Sequence, residues 1–291
     1  MKKRYWFYLI LLVAVLVVCR GIQIGYRHTH PLHHLTILHV NDTHAQLEPV
    51  KSGELAGQGG AIERAAFVDS VRVADGAENV LVLHAGDFSQ GTSYFSEFGG
   101  PLMVQVLNAI GYDAVTLGNH EFDNGIEALA ETLSGCEMPV VVCNYDFSPL
   151  EMGKYIKPYV IVEKAGLKIG IVGVLCSLAS MVQADISNRL IELDMVSSVQ
   201  STVDAIRDEC DLVILLSHIG YEEHSAGDIT DPQLCAQTRG IDLIVGGHSH
   251  TFMDAPAWAK NLDGRKVPIV QAGYAGAVMG EFHWAQESVK K

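Results

Sequence analysis

Five short polar clusters carry most of the chemistry open to this chain, and each follows an apolar run. Asn41-Asp42-Thr43-His44 follows Leu35–Val40, and His84-Ala85-Gly86-Asp87 follows Val80–Leu83. Gly118-Asn119-His120-Glu121-Phe122-Asp123 follows Ala114–Leu117, Ser217-His218 follows Leu212–Leu216, and Gly246-Gly247-His248-Ser249-His250 follows Leu243–Val245. A lone His or Asp after a strand is an ordinary cap or a satisfied polar residue. Five such clusters in one chain exceed what capping requires. Their donors are carboxylate and amide oxygen and imidazole nitrogen, without thiolate. That set suits Zn, Mn, Fe or Ni and disfavours calcium or an all-oxygen magnesium site. With about seven candidate ligands, the clusters hold more than the four that one tetrahedral ion takes. Two ions sharing a carboxylate would use them all, and a pair roughly 3.5–4 Å apart clamps both the attacking and the leaving oxygen of a phosphoryl displacement.

Residues so scattered in sequence meet only if the elements between them bring the strand ends together. Further strand-like runs lie at Val140–Val142, Lys168–Leu175 and Pro268–Gln271, and amphipathic stretches lie at Ala61–Val73, Pro101–Ile110, Ile126–Leu133 and Met195–Glu209. Continuous apolar strands alternating with helices predict an α/β protein with sheets covered on their outer faces. In such folds ligands gather beyond the carboxyl ends of the strands, where all five clusters stand. Tyr159–Val174 reads as a hairpin turning at Lys164-Ala165-Gly166, and Val267–Trp284 reads as a second hairpin. No internal repeat breaks the chain after His34, so residues 35–291 are expected to form one domain.

The 291 residues are 48% apolar and 19% charged, which excludes a disordered or coiled-coil chain. The net charge is −14, and Met1–Arg20 contributes four basic residues and no acid, so the body is more acidic still. Such a body is a poor partner for a nucleic-acid polymer. Met1-Lys2-Lys3-Arg4 before the uncharged run Tyr5–Cys19 predicts an export signal or membrane anchor over residues 1–20, with the body outside the cytoplasm. Residues 21–34, with Pro31 and four histidines, read as a linker. Five cysteines remain beyond Cys19, an odd number that suits buried thiols better than a disulfide framework. His39 reads as a core or edge residue and His224 as a surface residue; His84 could support a ligand or simply pack, Asn144 after Val140–Cys143 could face the site, and Tyr94, Phe95 and Phe98 could line a groove or pack a loop.

Taken together, Asp42-x-His44, Gly86-Asp87, Gly118-Asn119-His120-Glu121, His218 and Gly247-His248-Ser249-His250 resemble the calcineurin-like metallophosphoesterases. The strings around Asp42, Asn119 and His248 look most like the catalytic domain of the branch of 5′-nucleotidases, UDP-sugar hydrolases and 2′,3′-cyclic-nucleotide phosphodiesterases. The resemblance runs from Leu35 to the C-terminus. It implies a four-layer αββα sandwich with two mixed sheets around two divalent metal ions. It implies that Asp42, His44 and His250 hold one ion, that Asn119, His218 and His248 hold the other, and that Asp87 bridges them. A metal-bridged hydroxide would be the nucleophile, with His120 as the catalytic histidine and Asp123 orienting it; the other assignment makes His120 a ligand. The expected substrate is a phosphate ester, foremost a nucleotide. In this branch a further domain binds the nucleoside, so a separate nucleotide-binding chain is a possible partner, and a metal-binding subunit without turnover is the alternative function.

Overall fold

The computed structural model describes residues 32–287. The predicted signal or anchor over residues 1–20 and most of the linker lie outside the described residues. Among those described, no helix is long and apolar enough to cross a membrane.

Two mixed six-stranded sheets pack face to face. The first has the order β14(Gly280–Glu287)-β1(Leu32–Val40)-β2(Val80–His84)-β3(Ala114–Thr116)-β4(Val140–Val141)-β6(Ile156–Lys157). Only β14 runs antiparallel in it. The second has the order β12(Ala257–Lys260)-β13(Lys266–Val270)-β11(Leu243–Val245)-β10(Leu212–His218)-β8(Leu167–Leu175)-β7(Tyr159–Lys164), with antiparallel strands at both edges. A two-stranded piece, β5(Tyr145–Asp146) with β9(Ile191–Glu192), lies apart from both.

Alternation along each strand divides the side chains between two apolar layers. Leu35 and Ile37 of β1, Leu81 and Leu83 of β2, Ile169 and Ile171 of β8 and Ile214 of β10 are fully buried between the sheets. Each such side chain stabilises the fold by about 1.5–3 kcal/mol. The opposite faces meet helices. Leu38, Val40 and Val82 pack with Val68 of helix Ala61–Asp75 and Leu107 of helix Ser93–Ile110, while Val172 and Val213 pack with Val199 and Val203 of helix Met195–Ile206. This is the expected αββα sandwich. Gly173 shows how closely the sheets approach: a Cβ there would run into the Val141 carbonyl, and Cys143 N–H instead donates to the Gly173 carbonyl at 2.9 Å.

Three boundaries differ from the sequence expectation. Helix Ser93–Ile110 begins eight residues before Pro101, with a kink at Gly99 (φ 64°). β1 starts at Leu32, because its pairing with β14 extends over the last residues of the expected linker. Val267–Trp284 is not a hairpin. Its halves enter different sheets, β13 beside β11 and β14 beside β1, and the hairpin partner of β13 is β12. The first hairpin stands, with Ala165 and Gly166 at φ 53° and 72° in the two-residue turn. All five described cysteines are free thiols.

Candidate metal centre

The parallel strands of both sheets point their carboxyl ends to one edge of the sandwich, and all five clusters converge there. The backbone at that edge turns sharply: Asp42, His44, Asp87, His248 and His250 all have positive φ, between 46° and 74°. Non-glycine residues rarely adopt this conformation, and it recurs where surrounding contacts hold a functional side chain in place.

Asp42, buried completely, stands at the middle. His250 Nε2 lies 3.2 Å from its Oδ1 and His44 Nε2 3.9 Å; the two histidine nitrogens are 3.1 Å apart. On its other side His218 Nε2 lies 3.9 Å from the same oxygen and 3.2 Å from Asp87 Oδ2. Asp42, His44 and His250 form one group with metal-ligand geometry, and Asp42, Asp87 and His218 form a second. Asn119 and His248 meet next to this second group, His248 Nδ1 being 3.0 Å from Asn119 Oδ1. The seven ligand candidates are thus brought together; Asp42 belongs to both groups, whereas Asp87 belongs to the second. His120 and Asp123 stand at the mouth, about a third exposed, with His120 Nδ1 2.9 Å from Asp123 Oδ2. The His120 ring lies edge-on to His44 at 5.3 Å.

The electrostatics fit a cation. His218 Nδ1 lies 2.6 Å from the Ala85 carbonyl, which can only accept, so Nδ1 carries a proton and Nε2 faces the carboxylates. Burial alone would lower its pKa, but Asp87 and Asp42 outweigh burial and raise it to about 10. Asp87 shows the converse: burial disfavours its charge, and His218 nevertheless holds it well below the usual carboxylate range. Burial and the neighbouring His218 push His248 down to about 3, leaving it a neutral imidazole. The buried atoms Asp42 Oδ1 and His218 Nε2 have no hydrogen-bond partner. A Cβ on Gly118 would strike the Asp87 carboxylate and come within 2.6 Å of His218 Nε2, so the loop leaves this space open. Two orphaned, mutually facing ligand atoms in an oxygen and nitrogen donor set are what a divalent cation satisfies.

The sequence pattern of the calcineurin-like phosphoesterases matches residues 35–252. The chain belongs to the calcineurin-like phosphoesterase family. Family membership makes it a metal-dependent phosphoesterase. It is 36% identical over 269 residues to a 5′-nucleotidase of Diplobatis ommata, covering 84% of this chain and 45% of that protein. It is 32% identical to a snake venom 5′-nucleotidase of Gloydius brevicauda, covering 94% and 48%. The fold superposes on a 5′-nucleotidase precursor from Thermus thermophilus with a TM-score of 0.76 at 33% identity, covering 87% of this chain and 54% of that one. The chain spans about half the length of the curated relatives it matches.

Around the phosphoesterase centre stand residues whose contribution the sequence did not reveal. His224, read as a solvated loop residue, is exposed, but its ring lies 5.2 Å from that of His248. Tyr274 stacks on His250 at 5.0 Å, and Ala275 N–H donates to the Asp42 carbonyl at 2.7 Å. His84 is fully buried, with Nε2 3.1 Å from Thr43 Oγ1. Asn144, a candidate to face the site, instead clasps both backbone groups of Leu175. His39 is a core histidine, with its pKa lowered to about 4 by burial. A cavity of about 280 Å³ borders His248, lined by Cys176, Met181, Glu192, Met195 and Ile229 among others.

Proposed function

We propose that the chain is a 5′-nucleotidase-like phosphomonoesterase that works with two divalent cations outside the cytoplasm, and that residues 35–291 are its catalytic domain. Asp42, His44 and His250 would hold one ion, and Asn119, His218 and His248 the other, with Asp87 between them. The single observation that carries this reading is the pair of buried ligand atoms without hydrogen-bond partners, His218 Nε2 and Asp42 Oδ1, 3.9 Å apart among histidines and carboxylates.

Divalent ions bound there supply positive charge that acidifies water and offsets the charge of a phosphoryl group. The chain's own residues do the remaining work. The Ala85 carbonyl accepts the Nδ1 proton of His218 and so fixes a tautomer whose Nε2 lone pair faces the space between the carboxylates. Asp87 is held in turn by His120 N–H, which donates to its Oδ1 at 2.9 Å. Asp123 takes the Nδ1 proton of His120 in a hydrogen bond, and that bond raises the His120 pKa despite partial burial. With Nδ1 engaged by Asp123, a proton on His120 Nε2 would face the mouth, placed to bond a phosphoryl oxygen and pass to the leaving alkoxide. The cavity beside His248 offers room for the rest of an ester.

A nucleotide substrate is supported by the 5′-nucleotidase relatives, and extracytoplasmic action by a venom relative and by the basic and apolar composition of residues 1–20. The alternative is a half-site completed by a separate nucleotide-binding chain. The half-exposed aromatic pair Phe252 and Tyr274, 5.8 Å apart next to His250, favours it. Purified protein tested for Mn²⁺ content and phosphate release separates the two. Metal-dependent turnover of a mononucleotide supports the self-sufficient enzyme, metal binding without turnover supports the half-site, and turnover undiminished after complete metal removal contradicts both.

A further inference from the structure

Glu121 is 4% exposed and makes no ion pair with any described lysine or arginine. The Asp87 carboxylate disfavours its charge further. A buried carboxylate so placed is costly unless hydrogen bonds satisfy it. Three backbone N–H groups do so. Glu121 Oε2 accepts from Gly118 at 2.6 Å and from Asp87 at 2.9 Å, and Oε1 accepts from Ser89 at 2.9 Å. Only the Gly118 bond is local, an N-terminal cap of the short helical turn Asn119–Phe122. The other two reach across to the loop that leaves β2.

We propose that Glu121 is a positioning residue of the metal centre, a buried carboxyl group whose two oxygens lock the β2 and β3 loops together and fix the backbone from which Asp87 projects. This rests on the reading of Asp87 as a metal ligand. The two residues hold each other: Asp87 N–H donates to Glu121, while the Asp87 carboxylate accepts from His120 N–H, one residue before Glu121. Asp87 has φ 54°, a left-handed conformation uncommon outside glycine, and the Glu121 contact helps to hold it there. Released, the peptide would relax and swing the carboxylate away from His218 Nε2, now 3.2 Å distant. Glu121 itself belongs to neither ligand group, its oxygens being turned to the N–H donors of the loops.

Glu121→Gln tests this with little change of shape. The amide places an NH₂ against at least one backbone N–H whichever way it faces, so one bond is replaced by a donor–donor clash. Asp242→Asn is the control. Asp242 also bonds a backbone N–H, that of Val213, and pairs with Arg207 and Arg265, but it sits at the amino end of the strands, away from the centre. Mn²⁺ affinity is measured by calorimetry on the full chain, and Tm without metal. Glu121→Gln should weaken Mn²⁺ binding about 10–100-fold, the usual cost of losing a group that supports a metal ligand. Asp242→Asn should lower Tm while binding Mn²⁺ like wild type. If Glu121→Gln does not fold, Glu121→Asp takes its place; its shorter side chain keeps the charge but cannot reach all three donors, so it too should bind more weakly. Equal affinity in the Glu121 variant and wild type overturns the proposal, as does a loss shared by Asp242→Asn. Wild-type protein that binds no Mn²⁺ overturns the metal reading beneath it.

Discussion

Aspartates stand at both ends of the parallel strands, and the two ends use them differently. At the amino ends each is satisfied. Asp113 accepts from Val82 N–H at 2.9 Å and lies 3.0 Å from Lys164 Nζ, Asp211 accepts from Lys168 N–H at 2.9 Å, and Asp242 joins Val213 N–H to two arginines. At the carboxyl ends Asp42 keeps a buried oxygen without a hydrogen-bond partner, and Asp87 faces histidine rather than a permanent cation. Among the described non-glycine residues with positive φ, all but Ala165 lie in the loops at the carboxyl ends. The amino end is built for stability. The carboxyl end holds strained backbone and unmatched polar atoms, which a bound cation and substrate would match.

The contrast predicts opposite outcomes for similar substitutions. Asp87→Asn should abolish activity, losing more than the roughly 10–100-fold that a supporting group costs. It should leave Tm unchanged or raised, because one buried charge is removed; phosphate-release assays and a thermal melt check both. His120→Ala should lower kcat by about 10²–10⁴-fold, the worth of a general acid, with Mn²⁺ content intact. Loss of Mn²⁺ with activity would make His120 a ligand instead. Asp242→Asn should do the reverse, costing about 1–3 kcal/mol of stability in denaturant titration with kcat unchanged.

A fourth test probes a buried group within β1. His39 in β1 is buried and held neutral, its pKa lowered by burial to about 4 from 6.5. Between those values the unfolded chain binds a proton that the folded chain refuses, so stability is full above pH 6.5 and falls as pH drops toward 4. The loss at pH 5 should be no more than about 2 kcal/mol, and it should be smaller in His39→Leu when melts at pH 7 and pH 5 are compared.

Much of the site was legible because a parallel strand buried on both faces is a plain apolar run, and its ligand loop follows at once. Asp42, Asp87, Asn119, His218 and His248 were picked out as candidates that way, by position after a run, and the fold brings them together. Long-range pairing was not legible. β14 looked like the second arm of a hairpin because nothing in Val267–Trp284 says that Gly280 must lie beside His39, where a side chain would collide with the imidazole. Glu121, His224 and Tyr274 escaped for the same reason. Glu121 acts through N–H groups of Asp87 and Ser89, more than thirty residues upstream, and His224 and Tyr274 reach the site only through the folded path of their loops.

The most direct test of the central claim is phosphate release from AMP and 4-nitrophenyl phosphate by the purified full chain, loaded with Mn²⁺ or stripped by a chelator, beside His120→Ala. Turnover that needs the metal, returns when Mn²⁺ is restored and collapses in His120→Ala is the predicted result. Equal turnover in stripped and loaded protein would contradict the account, because the unmatched atoms at the strand ends would then serve some other purpose.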